Sequence, residues 1–84
     1  MYRRKPHPRL SEHGYDVVEL DTGVHHELMV PSDTPEPELL KLIARYVRGY
    51  ERAYPHTRSE EFRRWLEGRL GRRLEEVEPE GGAT

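Results

Sequence analysis

Cysteine is absent from all 84 residues, so disulfides, thiolate nucleophiles and thiolate metal ligands are excluded. Large aromatics other than tyrosine are scarce, with one Trp and one Phe. No apolar run approaches the ~20 residues of a membrane span, and the first residues lack a signal-like apolar stretch. The expectation is a cytoplasmic chain with no membrane contact. Familiar catalytic patterns are missing too. There is no G-x-x-x-x-G-K phosphate loop, no G-x-S-x-G elbow and no H-E-x-x-H helix. Hydrophobic residues amount to 33% against 36% charged, which suits one small core with polar ends. A chain of this length buries only roughly 60–65% of its unfolded surface. That leaves little room for a water-excluding pocket, so neither an enzyme nor a cofactor is expected.

Charge is present in quantity and is unevenly placed. The net value of -2 hides a polarised molecule. Residues 1–10 carry Arg3, Arg4, Lys5 and Arg9 and no acid. Residues 11–40 carry Glu12, Asp16, Glu19, Asp21, Glu27, Asp33, Glu36 and Glu38 and no Lys or Arg. Residues 41–73 are basic again, and 74–84 are acidic. Arginine far outnumbers lysine, a usage common in GC-rich or thermophilic microbes and their phages, which bears on origin and not on mechanism.

The chain is organised around the stretch from Pro35 to Tyr54. At about 100° per residue, Leu39, Ile43, Tyr46, Tyr50 and Ala53 share one helix face, flanked by Leu40, Leu42, Val47 and Tyr54. Lys41, Arg45, Arg48 and Arg52 form a stripe on the opposite face. Asp33 or Thr34 offers a cap, and Pro35 suits the first turn. Pro55 ends the helix. Thr57 and Glu60 have capping-box spacing for a second helix over 58–70, whose apolar face is Phe62, Trp65, Leu66 and Leu70, with Gly71 as its stop. This second face is predicted to bury Trp65 against the first helix.

Before the helices, Tyr15–Leu20 and Val24–Val30 read as a β-hairpin around Asp21-Thr22-Gly23. With that loop Leu20 faces Val24, and Glu19 stands opposite His25. Val18, Leu20, Val24, His26, Leu28 and Val30 share one side; Tyr15, Val17, Glu19, His25, Glu27 and Met29 share the other. Leu74–Val77 suits a short third strand. The fold class is therefore α+β: an N-terminal hairpin packed on two helices, within a single domain over 14–78. Residues 1–13 read as a flexible basic arm and 79–84 as a flexible acidic, Gly-containing tail.

Two surfaces are candidates for function. The first joins Lys41, Arg45, Arg48 and Arg52 with Arg3, Arg4 and Lys5, and Arg58, Arg63, Arg64 and Arg69 extend it. Repelling cations invite a phosphate backbone or an acidic protein patch, although a solvated outer helix face is the plainer reading. The second is Glu19, His25 and Glu27. Zinc accepts such donors, but adjacent His25 and His26 point to opposite faces, and no metal site is assigned. The functional expectation is a small non-catalytic regulator, adaptor or inhibitor of phage or mobile-element type, docking on a larger protein or nucleoprotein. Direct nucleic-acid binding is the alternative. A homodimer that covers Tyr15, Val17 and Met29 is a third expectation.

Overall fold

The computed structural model describes residues 2–79. Its order is β1 (Tyr2–Pro6), β2 (Tyr15–Asp21), β3 (His25–Pro31), α1 (Glu36–Ala53) and α2 (Glu60–Leu70), with short 3-10 turns at Ser11–His13, Pro55–Thr57 and Leu74–Glu76. The strands form an antiparallel sheet in the order β1-β2-β3. Both helices cover one face of it, so the chain is α+β as the sequence patterning predicts.

The sheet and the C-terminal segment differ from the sequence reading in three respects. Tyr2–Pro6, expected to be a flexible arm, is an edge strand, with Tyr2 opposite Leu20 and Arg4 opposite Val18. The third strand therefore comes from the beginning of the chain. Leu74–Glu76 is a 3-10 turn instead, and it drives Leu74 into the core. Val17, expected on an exposed outer face, is 6% exposed because Lys5 and Met29 flank it on the neighbouring strands. Tyr-Arg-Arg-Lys-Pro has no apolar alternation, so nothing in its composition marks a strand; pairing with β2 confers that structure. The tail beyond Pro79 lies outside the described residues.

The hairpin register also differs. Asp21 pairs with His25, Glu19 with Glu27 and Val17 with Met29, leaving Thr22-Gly23-Val24 as the loop. Gly23 adopts φ +93, and its N–H donates to Asp21 Oδ1 at 2.9 Å. That local bond moves the turn one residue along the chain and each pairing by two. A two-residue shift preserves strand faces, so the predicted in and out sets survive for the paired residues.

The core gathers Val18, Leu20 and Val30 from the sheet, Leu39, Leu40, Ile43, Ala44 and Val47 from α1, and Phe62 and Leu66 from α2. The α1 face is rotated from the predicted one toward Leu40, Ala44 and Val47, leaving Tyr46 and Tyr50 half-buried and Ala53 exposed. No side chain caps α1, whose N-cap is Pro35. For α2 the cap is Ser59, whose Oγ accepts from Phe62 N–H at 3.3 Å; Thr57 instead donates to the Tyr54 carbonyl at 2.7 Å. Gly71 ends α2 at φ +73, a left-handed position suited to glycine. Trp65 is only half-buried. It packs edge-on against Tyr2 at 5.8 Å and beside Phe62 at 5.5 Å, with the Arg69 guanidinium 5.9 Å from its ring. Phe62, at 1% exposure, takes the central place predicted for Trp65.

Candidate docking surface

The predicted cations separate into engaged and open groups. Arg4 faces inward from β1 and is engaged. Its Nε donates to Asp16 Oδ2 at 2.8 Å, and its two terminal nitrogens reach the carbonyls of Thr34 (2.8 Å), Ser32 (3.0 Å) and Pro31 (3.2 Å). The Ser32 hydroxyl donates to the second Asp16 oxygen at 3.0 Å. Hydrogen bonding from Arg4 holds the Asp16 carboxyl below the ordinary carboxylate range. This clamp fixes the turn that leads from β3 into α1. Arg48 Nε donates to the Val77 carbonyl at 3.3 Å, anchoring the segment after α2.

The arginines that appeared to extend the stripe are mostly engaged as well. Arg63 is buried, and its guanidinium joins Glu51 of α1 and Glu75 of the 3-10 turn. Burial opposes its charge, but the two carboxylates outweigh that and raise its pKa. Arg58 pairs with Glu60 at 2.7 Å, and Arg69 with Glu36. Lys41, Arg45, Arg52 and Arg64 are exposed and make no ion pair among the described residues. Glu51, which the sequence places near enough to relieve the stripe, faces Arg63 instead.

Nor do the two basic groups converge. Arg3 and Lys5 alternate with the inward-facing Tyr2 and Arg4, so they project from the outer face of the sheet. Lys5 lies 3.5 Å from Glu19 there. Lys41, Arg45 and Arg52 project from the helical layer on the other side of the core. No single flat footprint includes both.

The two sheet edges differ in kind. Each edge strand ends on a proline, Pro6 and Pro31, but β1 also carries Arg3, Arg4 and Lys5, charges that discourage strand addition. β3 reads His-His-Glu-Leu-Met-Val-Pro, with one acid and no Lys or Arg, and among the described residues it has a strand on one side only. Beside it runs a groove of about 340 Å³ lined by Leu28, Met29, Val30, Leu42, Arg45 and Tyr46. Met29 is 53% and Leu42 41% exposed. The sequence reading missed this groove because its walls come from β3 and α1, and only the packing angle between them opens it. A larger, more polar cleft of about 640 Å³ lies at the hairpin end, lined by Tyr2, Arg3, Glu19, Asp21, His25 and Glu61 among others.

On the outer sheet face, Glu19, His25 and Glu27 each offer a donor atom within 4.8 Å of the other two. His26 faces the core between hydroxyls, with Nδ1 2.9 Å from Tyr46 Oη and Nε2 3.1 Å from Thr22 Oγ1. Burial, then the neighbouring His25 charge, lowers its pKa, with Asp21 opposing. No helix among the described residues is long and apolar enough to cross a membrane. Comparison with protein-family models, curated proteins and solved structures finds no match to this chain.

Proposed function

We propose that this chain is a non-catalytic binding module of regulator, adaptor or inhibitor type, acting in the cytoplasm on a larger protein or nucleoprotein. Its docking surface is the β3 edge with the adjoining groove, and its ligand is an extended segment that adds a strand to β3. The carrying observation is the contrast between the two edges: β1 carries three cations in five residues, whereas β3 carries no Lys or Arg and, among the described residues, has a strand on one side only, beside exposed Met29 and Leu42. Arg45 on the groove wall and Lys41 one helical turn away lack ion-pair partners among the described residues, so a segment combining apolar residues with an acid is the complementary partner.

Affinity capture from the organism that encodes the chain tests this reading. A specific partner should be recovered with the parent and lost with Leu42→Asp/Arg45→Glu, while Arg64→Glu on α2 retains it. Recovery of nothing at low salt, or recovery indifferent to the groove variant, overturns the proposal.

Direct nucleic-acid binding is the second reading, supported by Lys41, Arg45 and Arg52, exposed on one helix and without ion pairs among the described residues. Counterion release then predicts mobility shifts that weaken steeply with salt. Absence of any shift at ~50 mM salt with DNA and RNA removes it. Self-association through the same β3 edge is distinguished by light scattering across a dilution series.

A further inference from the structure

The hairpin register builds a donor set that neither strand holds alone. Glu19 and Glu27 are directly opposed across β2 and β3, an arrangement in which like charges destabilise a sheet. His25 lies two residues before Glu27 and so on the same face. Its Nε2 stands 3.3 Å from Glu27 Oε1, and the donor atoms of all three residues lie within 4.8 Å of one another. In a tetrahedral site with bonds of about 2.0–2.1 Å, ligand atoms stand about 3.3 Å apart. His25 and Glu27 are therefore already at ligand spacing, and the Glu19 donor atom lies within 4.8 Å of both. The backbone positions are fixed by paired strands, not by a loop.

Local compensation is incomplete. Among the described residues, Lys5 is the one cation in ion-pair contact with Glu19, at 3.5 Å, and it is itself more than half exposed. Arg3 is opposite Glu19 in the pairing but makes no ion pair among the described residues. Among the described residues, Glu27 has only His25 as an ion-pair partner. One imidazole nitrogen and two carboxylate oxygens are donors that zinc accepts, and three protein ligands leave a position for water or a further ligand. A dication would neutralise the opposed carboxylates and displace the Lys5 ammonium.

We propose that Glu19, His25 and Glu27 bind one zinc-type divalent transition-metal ion on the outer face of the sheet. The three side chains share the outer sheet face with Met29 of the groove, and metal binding there does not depend on strand docking at β3.

Calorimetry of the untagged chain with Zn²⁺ alone, paired with NMR of the histidine rings, tests the assignment. One equivalent should bind, shifting the His25 ring and leaving those of His13 and His56 in place. Each of Glu19→Gln, His25→Gln and Glu27→Gln should weaken Zn²⁺ by at least ~10-fold, the lower range even for losing a residue that only supports a ligand. His13→Gln should bind as the parent does. No saturable binding, a shift centred on another histidine, or a parental affinity in any of the three ligand variants overturns the site. Thermal melts of the variants, all altered at positions outside the core, verify that each is folded.

Discussion

Arg4 shows how far one side chain departs from what its composition suggests. Within a run of cations it reads as part of a solvated arm, yet it holds a carboxylate and three carbonyls at the β3–α1 turn. Arg4→Ala should therefore cost about 2–3 kcal/mol, since hydrogen bonds to charged groups are worth about 1.5–3. Arg3→Ala, one residue away on the outer face, should cost about 0.5 kcal/mol or less. Urea melts of the two variants measure the contrast. His26 gives a pH-dependent counterpart. Because its pKa is lowered in the folded state, the unfolded chain takes up the proton first on acidification. Stability from this group is present above the ordinary histidine pKa of about 6.5 and is lost as pH falls through the lower folded value. His26→Gln keeps polar reach toward Thr22 and Tyr46 but cannot titrate. Its stability should fall less than the parent's between pH 7 and pH 5 in paired urea melts.

At the level of elements, periodicity identified what depends on periodicity. The long helix, the shorter helix ending at Gly71, the hairpin and its faces were all legible, because apolar spacing and turn residues encode them locally. The strand at Tyr2–Pro6 was not, since its structure comes from a neighbour and its own residues are charged. The hairpin register turned on the single Asp21–Gly23 bond, which competes with an equally plausible loop one residue earlier. Of the candidate site residues, the pattern found the open cations Lys41, Arg45 and Arg52 but could not separate them from Arg4 and Arg48, whose partners are 28 or more residues away in most of their bonds. The groove beside β3 was invisible for the same reason. Helical periodicity likewise put both Phe62 and Trp65 on the core face, whereas the packing buries Phe62 and leaves Trp65 half-buried. Phe62→Ala should cost about 3–5 kcal/mol, the range for deleting a large buried aromatic. Trp65→Ala should cost about half as much, because its ring keeps one side toward solvent and a guanidinium. Denaturant midpoints will order the two.

For the whole molecule, two layers around one core place its cations on opposite sides, which favours an edge-docking module over a broad nucleic-acid footprint. What makes the layers one unit at the C-terminal side is Arg63, whose guanidinium joins α1 to the turn after α2. Arg63→Ala should cost about 3 kcal/mol, near the lower end for breaking a buried pair, because Glu51 would keep its charge with little water. Glu75→Ala should cost distinctly less, its carboxyl being half-exposed. Guanidinium melts of both variants check the order. The same junction decides how the chain opens. Leu74 N–H is held by Glu67 at 2.8 Å, the Glu76 and Val77 amides close the 3-10 turn, and Arg48 binds the Val77 carbonyl. A short 3-10 segment outside the main helices ordinarily opens by itself, with its amides exchanging through small local openings. Here release of Leu74–Val77 would strip Arg63 of one carboxylate and uncover Leu74 in the same event. Deuterium uptake at these amides should therefore follow the global unfolding free energy, and the cooperative unit of the fold reaches as far as Val77.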